Sequence, residues 1–89
     1  VHSIAEFGTS AEDVNAVNAA ISGKILRAFE SRLREGIAEG SVRPDTAPAA
    51  GATYLLATLA GLKVAARGGA TAHDLFAIAN LALRALVME

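Results

Sequence analysis

Apolar residues recur at steps of three and four from Val14 onward: Val14, Val17, Ile21, Ile25, Ala28, Phe29, Leu33 and Ile37. The 3.6-residue turn of an α-helix gathers such positions onto one face. Lys24, Arg27, Glu30, Ser31, Arg34 and Glu35 cover much of the opposite side, with Glu30 and Arg34 in the favourable i,i+4 order. Thr9 with Glu12 and Ser10 with Asp13 both have capping-box spacing, and Gly40 is a suitable stop. These signals predict a first helix over about residues 10–39, with Gly23 as a weak point. Ile4, Ala5 and Phe7, ahead of it, read either as the tail of an earlier helix or as a packed lead-in.

Pro44 ends helical pattern and extends Arg43. Asp45 or Thr46 is then the expected cap of a second helix over about 47–67, with Pro48 in its first turn. That helix is apolar over most of its circumference. Leu55, Leu59, Leu62 and Ala66 form one stripe; Gly51, Tyr54, Thr58, Gly61 and Ala65 form a second, smaller one. Lys63 and Arg67 mark its narrow polar edge. Gly68–Gly69 closes the helix, and Thr71 with Asp74 opens a third, predicted over about 72–88. Its apolar residues again fall on two faces: Leu75, Ile78, Ala79, Ala82 and Leu86, then Phe76, Leu83 and Val87. His73, Asn80 and Arg84 mark its polar side.

The pattern is therefore all-α: one domain of three helices, without repeats or strand alternation. Two of the three are apolar on more faces than a three-helix unit can bury. Composition sharpens this point. The chain has 89 residues, 53% of them hydrophobic, and so short a chain has little interior in which to hide them. A partner surface is the expected outlet. The small stripe with Gly61 would let another helix approach closely, in a second subunit or within one chain.

Charge and candidate chemistry mostly exclude. A net charge of −1 argues against a basic nucleic-acid-binding module. There is no Cys, hence no disulfide framework or thiolate metal site. The charge-free stretch Thr46–Leu62 holds 17 residues including Pro48, two Gly and three Thr, so a buried helix is expected rather than a membrane span. No signal-peptide pattern opens the chain, and a cytoplasmic location is expected. His73 and Asp74 are adjacent and point apart on a helix, and His73 reads as an exposed first-turn residue. No enzyme, metal or cofactor is expected. Asn15 and Asn18, at the edge of the first apolar stripe, are either ordinary solvated residues or the orienting polar groups of a pocket with Val14, Ile21 and Ile25.

Three segments, LREGIAEGSVRPD (Leu33–Asp45), YLLATLAGLKVAARGGA (Tyr54–Ala70) and DLFAIANLALRAL (Asp74–Leu86), resemble the C-terminal region of the TetR family of transcription regulators. The order is the shared feature: a long helix ending in Gly, an RPD-like connection, an apolar helix with a central Gly61–Leu62, and a Leu/Ala-rich last helix. The resemblance implies a homodimer in which the last two helices pair with their copies as an intersubunit four-helix bundle. The interface would include Tyr54, Leu55, Thr58, Leu59, Gly61, Leu62, Ala65, Ile78, Ala82 and Leu86. It also implies that the first helix helps to line a pocket for a small hydrophobic effector. The 89 residues contain no helix-turn-helix, so DNA would be reached only through an N-terminal domain outside them. A stand-alone all-α adaptor that pairs with another protein is the alternative.

Overall fold

The computed structural model describes residues 11–88. Three helices follow one another: α1 (Ala11–Glu39), α2 (Pro48–Arg67) and α3 (Ala72–Arg84). The fold is all-α. Helix α2 is the central member, packing against both α1 and α3, which scarcely meet each other.

The helix ends follow local chemistry. At the end of α1, Gly40 takes φ +86°, the Gly40 amide donates to the Ile37 carbonyl, and the Ser41 amide donates back to the Gly36 carbonyl at 2.9 Å. At the end of α2, Gly69 takes φ +98°, with its amide on Ala66 and the Ala70 amide on Ala65 at 3.0 Å. Both are Schellman closures, in which a residue without Cβ turns left-handed and otherwise orphaned carbonyls find donors. Helix α3 opens on a complete capping box: Thr71 Oγ1 accepts from the Asp74 amide, and the Asp74 carboxylate accepts from the Thr71 amide. The start of α2 differs from expectation. Pro48 occupies the first helical position, so the N-cap falls on Ala47, whose methyl side chain offers no hydrogen-bond acceptor. Thr46 instead turns its methyl toward Gly51. The Thr9 and Ser10 caps, and the reading of Ile4, Ala5 and Phe7, lie outside the described residues.

A second difference concerns the end of the chain. Helix α3 stops at Arg84, not near 88. Residues Leu86–Met88 leave the helix and run antiparallel to Ser41–Arg43, the Arg43 amide donating to the Leu86 carbonyl at 2.8 Å and the Met88 amide to the Ser41 carbonyl at 2.9 Å. Leaving the helix swings Leu86 inward. Among the described residues it becomes one of three buried hydrophobic side chains, with Leu33 and Ala52, at 8%, 5% and 1% exposure respectively; Leu26, Phe29, Val42 and Leu55 pack around them.

Close approach at this core depends on two glycines. A Cβ on Gly51 would stand 2.7 Å from Leu33 Cδ1, and a Cβ on Gly36 would overlap the Val42 side chain. Gly51 therefore seats α2 on α1 within one chain. Gly61, further along the same stripe, has open space above it. Gly23 lies within the unbroken α1.

Candidate functional site

The two faces of α2 form two different grooves. The first lies between α1 and α2, beyond the core. Asn18, Ile21, Ser22 and Ile25 supply one wall, and Leu56, Leu59, Ala60 and Lys63 the other, around about 390 Å³. These α1 residues share a wall because 18, 21, 22 and 25 are spaced by threes and fours. Helix α2 has no acidic residue, and its only charges are Lys63 and Arg67. Lys63 thus places a positive charge at the rim of an otherwise apolar wall, facing the Asn18 amide and the Ser22 hydroxyl.

Three residues singled out from sequence, Asn18, Ile21 and Ile25, meet in this groove. Val14 falls one turn away, in a shallow depression with Asp13, Val17 and Asn18. Asn15 lines neither and is exposed. The α2 wall escaped the sequence reading because Leu56, Ala60 and Lys63 do not belong to either apolar stripe named from periodicity.

The second groove is bounded by all three helices and encloses about 180 Å³. Phe29 comes from α1; Leu55, Thr58, Leu59 and Leu62 from α2; Ala79, Ala82 and Leu83 from α3. It contains no charged residue. Even its hydroxyl is turned away, since Thr58 Oγ1 donates to the Tyr54 carbonyl at 2.8 Å. The Tyr54 hydroxyl donates to the Ala82 carbonyl at 2.8 Å, tying α2 to the last turn of α3.

The expected interface residues divide accordingly. Leu55, Thr58, Leu59, Leu62 and Ala82 line this groove, Ala65 is half-buried, and Tyr54, Gly61 and Ile78 are exposed. Leu86 is already occupied inside the chain. Among the described residues the most exposed large apolar side chains are instead Phe76 at 72%, Val64 at 66% and Leu81 at 64%. The Phe76–Leu83 stripe is visible in the sequence as the second face of α3. Leu81 and Val64 belong to no stripe and carry no such signal.

Helix α2 is long and apolar enough to cross a membrane by length and composition, and 11% of it is buried. It nevertheless carries the Gly51–Leu33 contact and the Tyr54–Ala82 hydrogen bond, as the middle helix of a packed unit does. Among the described residues no cluster of His, Asp or Glu has the makings of a metal site. His73 is exposed in the first turn of α3. No protein-family model, curated protein or solved structure matches the chain.

Proposed function

We propose that this chain is the dimerising and effector-sensing C-terminal part of a TetR-type transcription regulator. The observation that carries the reading is the apolar surface left uncovered on α2 and α3: Val64, Phe76, Ile78, Leu81 and Leu83 are all exposed, and Leu83 also lines a groove without a charge. Surfaces of that kind mark association sites. A second copy would cover it by pairing α2 and α3 with their counterparts across a two-fold axis. The link to transcription rests on the three sequence segments that resemble the family.

The groove between α1 and α2 is the effector seat in this reading. Its volume, about 390 Å³, lies within the range of small-molecule sites. An apolar ligand would lie between Ile21 and Ile25 on one side and Leu56 and Leu59 on the other, oriented by Asn18, Ser22 and Lys63. Such a wedge acts on a lever. Residues 11–28 span about 27 Å at 1.5 Å per residue, so a tilt of about 10° moves the first turn of α1 by about 5 Å. Whatever domain precedes α1 would feel that shift, and by linkage its own ligand would alter effector affinity equally.

Light scattering coupled to size-exclusion chromatography tests the reading. A dimer is expected at tens of micromolar. A chain that stays monomeric to about 100 μM, which leaves any self-association weaker than about 5.5 kcal/mol, overturns it.

A further inference from the structure

The groove between α1 and α2 is polar at one end and apolar at the other. Gly51 lies against Leu33 where α2 is seated on α1. Leading away from that contact, Ile25 and Leu56 come first, and Asn18 and Lys63 come last, each pair member seven residues along its own helix from the other. Seven helical residues span about 10 Å. Ser22 lies between, half-buried. The outer end thus collects donors: an ammonium, a side-chain amide and a hydroxyl.

None of these three side chains forms an ion pair or a hydrogen bond with another described residue. A helical hydroxyl often turns back onto the carbonyl four residues earlier. Thr53 and Thr58 do so, on Ala49 and Tyr54 at 3.1 and 2.8 Å; Ser22 does not. The charges along the groove also share one sign. From Val14 to Phe29, α1 carries Lys24 and Arg27 and no acid, and α2 carries Lys63 and Arg67 and no acid. Asp13 lines the next depression, with Val14, Val17 and Asn18. A chain of net charge −1 therefore has a positive stretch beside this groove, which raises the local concentration of anions.

We propose that the ligand of this groove is an amphipathic anion, a carboxylate on an aliphatic chain. The inference rests on the effector seat proposed above and names its chemical class. An ionised carboxylate only accepts hydrogen bonds, so it suits a wall offering Lys63, Asn18 and Ser22, and the ammonium makes its contact charge-assisted. The tail lies between Ile21 and Ile25 on one side and Leu56 and Leu59 on the other. A groove of about 10 Å holds a zigzag of about eight carbons at bonds near 1.5 Å.

Calorimetric titration of the whole chain with octanoate, octanol and octylammonium, each below its micellar concentration, tests this. Octanoate is expected to bind at least about tenfold more tightly than the other two, the effect of a charge-assisted contact. Lys63→Gln is expected to remove that preference while leaving octanol binding within about twofold. Lys24→Gln removes a charge of the same sign from α1 outside the groove, and is expected to leave octanoate binding within about twofold, because salt screens exposed charges at a distance. Both lysines are exposed, so neither change should disturb folding. Equal binding of the three probes, or equal effects of the two substitutions, overturns the inference and leaves the effector seat standing. A chain that binds none of the probes overturns both.

Discussion

Around Gly36 and Gly51, three segments approach until a single Cβ has no room, and Leu33, Ala52 and Leu86 close over one another. Further back along α1, Val17 and Ile21 are 57% and 51% exposed, and the same α2 lies across an open groove. Both regions follow one amphipathic stripe on one helix. What separates them is what lies opposite. The core end has glycines that admit contact and a C-terminal segment that folds back. The other end, among the described residues, has an open groove between α1 and α2 with no further segment over it. Periodicity states which side of a helix is apolar; the number of elements available to cover that side decides whether it becomes interior or binding surface.

The contrast can be broken at either end. Leu33→Ala removes the centre of the core and should cost about 2–5 kcal/mol, by loss of transfer energy and creation of a cavity. For a chain of this size that is most of the stability, and urea denaturation should show a chain largely unfolded without denaturant. Gly36→Ala adds one methyl where Val42 already stands and should cost about 1–3 kcal/mol, the usual penalty of overpacking. A helix-propensity argument alone predicts the opposite sign for this change, since Ala is about 1 kcal/mol better than Gly in a helix interior. The midpoint of denaturation therefore decides whether packing or propensity rules there. Ile21→Asn in the open half should change stability by no more than about 0.5 kcal/mol, as surface substitutions do, while lowering affinity for apolar probes measured by fluorescence titration. A loss of about 2 kcal/mol or more at position 21, the signature of a buried site, would mean that the groove is covered in solution and would erase the contrast.

Much of this was legible before any coordinates. Gly40, Gly68–Gly69, Pro48 and the Thr71–Asp74 pair act within a turn of where they stand, so their meaning survives isolation. Asn18, Ile21 and Ile25 met in one groove because helical spacing alone brings them together. Leu86 was not legible. No Gly or Pro follows Arg84 to stop the helix, and Leu86 continues the spacing of Leu75, Ala79 and Ala82. It leaves the helix for a distant reason, the combined gain of a buried side chain and two hydrogen bonds to Ser41 and Arg43. Gly36 was silent likewise, because its partner Val42 lies beyond a turn. Tyr54 is expected from the sequence only as an interface residue; its hydrogen bond to Ala82 depends on how α3 packs, which spacing within α2 does not contain.

The pairing of Leu86–Met88 with Ser41–Arg43 also has a consequence for the order of synthesis. Leu86 is made more than fifty residues after Leu33. Ala52 precedes Leu86 by 34 residues, so at about 5–20 residues per second the growing polypeptide waits roughly 2–7 s with Leu33 and Ala52 made and Leu86 missing. During that interval α1 and α2 can both exist, but Leu33 and Ala52 stay uncapped and sticky. The birth of this molecule thus includes a vulnerable interval of seconds, ended only when Leu86 arrives.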